Sequence, residues 1–133
     1  MKNFILIVGI VALLVSICLV SPSCGSRGSK GPDTLKVNTT TLGAKIIGYN
    51  GPTPLEISVS QGKITGIKAL PNQETPRYLQ RVLESGLLER LDGKTLEEAA
   101  QTQLDAVTGA TFTSEAMIQN IRLGLEQAAQ EQH

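Results

Sequence analysis

The chain has 133 residues, and its twelve basic and twelve acidic side chains give a formal net charge of zero. This balance argues against a nucleic-acid-binding protein, which carries a basic patch or stripe, and the length predicts one domain. Aromatic residues are few, two Phe and two Tyr without Trp, so a flat ligand would lie mostly against aliphatic groups and backbone.

Residues 1–24 have the features of an export segment. Lys2 precedes residues 4–20, an uncharged apolar run, and small residues follow it up to Cys24. Cys24 resembles the lipidated cysteine of a bacterial lipoprotein, although Ser21 stands where leucine is usual. Two interpretations remain open: a lipoprotein signal lipidated at Cys24, or an uncleaved anchor helix. Both predict attachment to the membrane of the cell envelope, with the rest of the chain on its extracytoplasmic face.

Residues 25–42 are predicted to form a flexible linker, rich in Gly and Ser at its start and polar over residues 33–41, where an edge segment is the alternative. The folded domain is predicted to span residues 43–130. An apolar run closed by turn residues predicts a first strand, and strict alternation of apolar and polar residues predicts a second. Three antiparallel strands are expected, at residues 44–49, 55–60 and 63–70. Gly66 in the third predicts a bulge.

Helices are predicted after the sheet. Thr75 followed by proline is typical of a helix N-cap, and Thr95 with Glu98 forms a capping-box pattern that opens a second short helix. Residues 115–130 predict a longer helix with one apolar face. That face consists of Met117, Ile118, Ile121, Leu125 and Ala128. The expected fold class is therefore α+β, a small antiparallel sheet packed by helices.

Residues 105–114 concentrate small and hydroxyl side chains just before the long helix, in the order Asp-Ala-Val-Thr-Gly-Ala-Thr-Phe-Thr-Ser. The first N–H groups of a helix have no partner within it, and a phosphate fits there when small residues let the backbone approach. Thr113, Ser114 and Glu115 are expected to offer these N–H groups. Ordinary helix capping by Thr and Ser is the alternative, and the residues alone leave both open.

Residues 105–111 resemble the flavinylation motif D-x-x-[S/T]-G-A-[S/T] of the bacterial FMN-binding domain family. This domain occurs in the flavin-carrying subunits of the sodium-pumping quinone reductase and the Rnf complexes. Residues 48–52, Gly-Tyr-Asn-Gly-Pro, resemble the family's glycine-rich turn, and residues 74–76, Glu-Thr-Pro, resemble its E-T-P element. Together the three segments cover the predicted domain, and they place the long C-terminal helix directly after the flavinylation loop.

The resemblance implies that Thr111 carries FMN through a phosphoester. It also implies a set of residues that complete the motif for a flavin transferase, namely Asp105, Thr108, Gly109 and Ala110. A threonine hydroxyl needs a base or a metal to activate it, and the only histidine is His133 at the end of the chain. The modifying enzyme is therefore expected to be a separate protein.

Three further residues are implied as cofactor contacts by the same resemblance: Glu74, Thr75 and Tyr49. Each has a structural alternative. Residues 74–76 can be an ordinary helix N-cap with no cofactor contact, and Tyr49 can pack on the sheet. The chain departs from the family at Arg77-Tyr78-Leu79, where glycines are common.

The resulting hypothesis is a membrane-tethered extracytoplasmic electron carrier with covalent FMN on Thr111. Its expected partners are a flavin transferase and membrane redox proteins, with no nucleic acid, no metal and no catalytic residue of its own. Two alternatives remain. One is a module that binds FMN or another phosphorylated ligand noncovalently, as a sensor or accessory lipoprotein. The other is a structural lipoprotein without flavin.

Overall fold

The computed structural model describes residues 33–133, so the predicted export segment, Cys24 and the predicted linker up to residue 32 lie outside the described residues. The described part forms a three-stranded antiparallel sheet and three α-helices, which confirms the α+β class. In chain order the elements are β1 (Thr34–Asn38), β2 (Leu55–Ser60), β3 (Lys63–Ala69), α1 (Pro76–Glu84), a single 3₁₀ turn (Glu89–Leu91), α2 (Leu96–Gln101) and α3 (Thr111–Glu131). Within residues 33–133, no helix has the length and apolar character needed to cross a membrane.

The central strand of the sheet is β2, which pairs antiparallel with β1 on one side and β3 on the other. The predicted bulge in β3 is confirmed. Ser58 pairs with Gly66 and Val59 pairs with Ile64, so Thr65 is an extra residue on the bulged strand. A bulge increases the local twist of a strand.

The strand predicted at residues 44–49 is wrong, and the first strand lies ten residues earlier, at Thr34–Asn38. The linker predicted up to residue 42 therefore contains an edge strand of the sheet. Residues 44–49 instead follow a tight turn, in which the Ile46 N–H donates to the Gly43 carbonyl at 2.9 Å. Ile47 forms an isolated bridge with Pro52 and is 57% exposed.

The core lies between the sheet and α3. All five residues of the predicted apolar face of α3 are buried, which confirms that face. They meet Leu55, Ile57 and Val59, the alternating buried residues of β2. Gly124 lets the helix approach the sheet closely, because a Cβ there would overlap the side chain of Ile57.

The predicted helix starts agree with the structure for α1 and α2. Thr75 is the N-cap of α1, although its side chain makes no capping hydrogen bond. Thr95 and Glu98 form both bonds of the capping box, at 3.2 and 3.0 Å. The start of α3 differs, because this helix begins at Thr111 rather than at Glu115. The hydroxyl residues that were expected to precede the helix form its first turn.

Candidate functional site

The segment before α3, residues 105–110, is called the motif loop, and its own hydrogen bonds shape it. The Ala110 N–H donates to the Val107 carbonyl at 2.9 Å, and the Val107 N–H donates to the Ser114 hydroxyl at 2.8 Å. The same hydroxyl donates to the Ala110 carbonyl at 2.8 Å. Ser114 was predicted as a cofactor contact, but its hydroxyl fastens the motif loop to the first turn of α3. Gly109 takes a φ of +81°, which favours glycine.

The N-terminal N–H groups of α3 face the end of the motif loop. The first bond within the helix runs from the Ser114 N–H to the Ala110 carbonyl at 2.9 Å. The N–H groups of Thr111, Phe112 and Thr113 precede that bond, and the first N–H groups of a helix have no intrahelical acceptor. Free donors were predicted at residues 113–115. They lie two residues earlier because the helix begins earlier.

Thr111 and Thr113 differ in exposure. Thr111 is exposed at the first position of α3, so its hydroxyl is accessible. Thr113 is buried, and its hydroxyl has no hydrogen-bond partner among the described residues. Buried polar groups normally find a partner. Among the described residues two buried side-chain atoms have none, Thr113 Oγ1 and Asn120 Oδ1, and of these two residues Thr113 lines the space before α3, where a bound group can supply the partner.

Glu74 shapes the other side of the site. Its buried carboxylate accepts hydrogen bonds from the N–H groups of Tyr49, Asn50 and Thr75, at 2.9, 3.0 and 2.9 Å. Gly48 makes room for this contact, because a Cβ there would overlap a carboxylate oxygen of Glu74. Glu74 therefore holds the glycine-rich turn against the start of α1. It acts on the site by placing Tyr49.

Helix α1 contributes two side chains near the motif loop. Proline at its first position needs no N–H partner, and the Tyr78 N–H donates to the Thr75 carbonyl at 2.9 Å. Tyr78 and Arg81 are three residues apart, so they are neighbours on one face of the helix. The guanidinium of Arg81 fills the space that a Cβ at Gly109 would occupy, and it thereby contacts the motif loop.

The glycine-rich turn, α1, the motif loop and the start of α3 surround a cleft of about 220 Å³ that is open to solvent. Tyr49 and Tyr78 form one wall, with ring centroids 4.7 Å apart and an interplanar angle of 65°. The start of α3 forms the other wall, which includes the side chain of Phe112. All three aromatic residues of the described part of the chain thus line one cleft. The complete lining is Tyr49, Tyr78, Gly109, Ala110, Thr111, Phe112 and Thr113.

The cleft brings together five of the ten predicted cofactor residues, namely Tyr49, Gly109, Ala110, Thr111 and Thr113. Tyr49 is 58% exposed in the cleft, so the alternative in which it packs on the sheet does not describe its position.

The other predicted residues lie behind or beside the cleft. Asp105 lines a separate depression together with Arg90, and its carboxylate accepts from the Gln103 amide at 3.4 Å. Thr108 belongs to the motif loop but is absent from the lining of the cleft. Within residues 33–133, no three His, Cys, Asp or Glu side chains come together where they could hold a metal ion.

The sequence analysis did not select Tyr78 and Phe112. A usable signal was present, because aromatic residues are scarce in this chain and Phe112 directly follows Thr111. Tyr78 stands at the departure from the family pattern noted above. At that departure the chain supplies a ring to the wall of the cleft.

Comparison with known proteins agrees with this geometry. A model of the FMN-binding domain family matches residues 48–126, which is more than half of the chain. The chain belongs to the FMN-binding domain family. The matched residues include both walls of the cleft and the whole motif loop. None of the curated proteins searched matches the chain.

FMN binding fits the cleft of this family member. Free N–H groups at the start of a long helix suit a phosphate, and the orphaned hydroxyl of Thr113 can bond to one of its oxygens. Exposed aromatic rings suit a flat heteroaromatic ligand, which stacks on them or meets them edge to face. The phosphate-binding atoms and the rings line the same cleft. One ligand with a phosphate at one end and an aromatic system at the other can occupy both.

Proposed function

We propose that this FMN-binding domain is a membrane-tethered extracytoplasmic electron carrier, with FMN joined to the Thr111 hydroxyl by a phosphoester. The observation that carries the proposal is the position of Thr111. It is exposed at the first position of α3, next to unpaired N–H groups and in the wall of the aromatic-lined cleft. A phosphoryl group on this hydroxyl would lie near donors that stabilise its negative charge.

The residues of the chain would hold and orient the cofactor. The N–H groups of Thr111, Phe112 and Thr113 would bind the phosphate, and the rings of Tyr49 and Tyr78 would cover part of the flavin. Bound FMN supplies the one-electron and two-electron redox chemistry, which side chains lack. Glu74 maintains the cleft by fixing the turn that carries Tyr49.

Attachment would require a separate flavin transferase. It would join the Thr111 hydroxyl oxygen to the phosphorus of the FMN group as the bond from that phosphorus to the AMP part of a dinucleotide donor such as FAD breaks, with AMP as the leaving group. A base must take the hydroxyl proton, and a bound metal can activate the hydroxyl. The single histidine of the chain, His133, follows the end of α3, whereas Thr111 begins that helix. Over 21 residues the helix is roughly 30 Å long. His133 is therefore too far away to act as the base.

The hypothesis of export and the hypothesis of covalent attachment are consistent with each other. A noncovalent flavin that dissociates outside the cell is lost by diffusion, whereas a phosphoester retains it. Residues 1–24, with Cys24 as a lipidation site or residues 4–20 as an anchor, would keep the domain at the membrane, near membrane redox proteins. These proteins are the proposed electron donor and acceptor.

Substitution of Thr111 tests the proposal. The protein is coexpressed with an exported flavin transferase, and the denatured mass is measured for wild type, Thr111→Ala and Thr111→Ser. We expect covalent flavin on wild type, none on the alanine variant, and some on the serine variant because it retains a hydroxyl. Covalent flavin on Thr111→Ala would contradict the proposal.

Noncovalent FMN binding is the second candidate. It is favoured by the free N–H groups and the Thr113 hydroxyl, which can bind a phosphate without using the hydroxyl of Thr111. In that case the protein is yellow as purified, its denatured mass is unmodified, and the flavin separates from the protein on denaturation.

A further inference from the structure

Arg81 is held beside the motif loop. Its guanidinium lies against Gly109, in the space that a Cβ would fill, two residues before Thr111. Arg81 also lies one helical turn after Tyr78 on the same face of α1, and Tyr78 lines the cleft. Helix α1 therefore places the ring of Tyr78 and the guanidinium of Arg81 next to each other, near the residues that precede α3.

Arg81 has no carboxylate partner in the described part of the chain. The ion pair found there joins Lys36 to Glu56 at 3.2 Å, far along the sequence from α1. Arg81 lies in the last turn of α1, where the partial negative charge of that helix end favours a cation, and its guanidinium lies beside Gly109, just before the end of α3 that carries partial positive charge. Arg81 is not among the residues that line the cleft, but it contacts Gly109, which is, so its positive charge lies next to the cleft.

A second observation at the same place points to an anionic ligand. Thr113 is one of the residues that line the cleft, and its buried hydroxyl has no hydrogen-bond partner among the described residues. It comes two residues after Thr111, within the same first turn of α3. A phosphate at Thr111 would supply the missing acceptor for this hydroxyl and a counter-charge for Arg81.

We propose that Arg81 is the residue that selects and positions the flavin phosphate. Its guanidinium, the free N–H groups of the first turn of α3 and the Thr113 hydroxyl together form one anion site. The inference rests on the proposed function in placing the phosphate at Thr111, but it holds for free FMN as well as for the covalent form. It predicts that the site prefers FMN to riboflavin, which has the same ring system without the phosphate.

The test uses the full-length protein in detergent, expressed without a transferase, and titrates it with FMN and with riboflavin by flavin fluorescence. Wild type should bind FMN more tightly than riboflavin, and salt should reduce this difference. Arg81→Gln should weaken FMN binding by about fivefold to tenfold and leave riboflavin binding unchanged, because a charge-assisted hydrogen bond is lost. Arg81→Lys should recover part of the loss, since it keeps the charge without the planar fork.

Arg122→Gln is the matched control. Arg122 is exposed on α3, about 16 Å along the helix from Thr111, and its loss changes the net charge equally. This variant should leave both affinities unchanged. Thermal unfolding of Arg81→Gln and Arg81→Lys checks that each variant folds.

A phosphorus NMR spectrum of the flavinylated protein adds a readout that does not depend on affinity. The phosphodiester resonance should shift in Arg81→Gln and not in Arg122→Gln. The inference would be overturned if wild type bound FMN no more tightly than riboflavin. It would also be overturned if wild type bound neither. Equal loss of FMN and riboflavin binding in Arg81→Gln would also overturn it. If any of these binding results were found while covalent flavin was still mapped to Thr111, the inference about Arg81 would fail but the proposed function would hold.

Discussion

The substitution Glu74→Gln tests the claim that a buried carboxylate builds one wall of the cleft. It removes the charge and replaces one acceptor oxygen with an NH₂ group of nearly the same size. The carboxylate accepts from three backbone N–H groups, two of which share one oxygen. The glutamine carbonyl oxygen can keep that pair, those of Asn50 and Thr75. Its NH₂ group then faces the N–H of Tyr49, so that two donors oppose each other.

The magnitude follows from this geometry. One hydrogen bond to a charged acceptor is lost, and such bonds contribute about 1.5–3 kcal/mol to stability. The two remaining bonds lose their charge assistance, so the total loss is about 3 kcal/mol. For a domain of this size, each kcal/mol lowers Tm by roughly 4–8 °C, so Tm should fall by roughly 12–24 °C.

Thermal unfolding followed by circular dichroism, together with urea denaturation, measures this loss. Glu56→Gln is the control, because Glu56 makes an exposed ion pair with Lys36 at 3.2 Å, and such pairs contribute about 0–1 kcal/mol. We also expect FMN affinity to fall in Glu74→Gln, since the turn that carries Tyr49 is released. A Tm within about 2 °C of wild type, with FMN affinity unchanged, would refute the role assigned to Glu74.

Three other substitutions separate folding from cofactor binding. Gly109→Ala strains a residue at φ +81° and displaces Arg81, so it should cost about 1–3 kcal/mol and reduce flavin loading seen by mass; full loading would contradict this. Phe112→Ala removes a ring that is 66% exposed, so urea stability should stay within about 0.5 kcal/mol while FMN affinity falls several-fold; unchanged affinity would exclude a ring contact. Thr95→Ala breaks the capping box and should cost about 1 kcal/mol without changing FMN affinity, and a change in affinity would show that α2 influences the cleft.

Local patterns predicted much of the fold correctly. The alternation along β2, the capping box at Thr95 and the apolar face of α3 all depend on residues close together in sequence. The bulge near Gly66 also belongs to this class. Each of these features has a physical cause that lies within one element, so the sequence of that element is sufficient to predict it.

The first strand could not be placed by such patterns. Residues 44–49 are apolar and contain β-branched side chains, but a strand also needs a neighbour with which to pair. The edge of the sheet is occupied by Thr34–Asn38, a short polar segment in which only Val37 is buried. Its pairing with β2 is a contact between residues about twenty positions apart, which composition does not reveal.

Five of the ten residues predicted as cofactor contacts line the cleft, whereas the start of α3 was predicted too late. Thr and Ser favour a cap position, so the helix was expected to begin at Glu115, four residues after its actual start at Thr111. Ser114 lies within the first turn of α3, where its hydroxyl accepts a hydrogen bond from the Val107 N–H of the motif loop. Glu74 and Tyr78 likewise acquire their roles only when α1, the glycine-rich turn and α3 come together.

The denatured mass of the full-length protein, purified from a host with an exported flavin transferase, tests the central claim most directly. The account predicts a mass increased by FMN less one water, with the addition mapped by fragmentation to Thr111. An unmodified mass with yellow colour lost on denaturation would contradict covalent attachment and favour the noncovalent module. An unmodified and colourless protein would contradict the carrier function altogether.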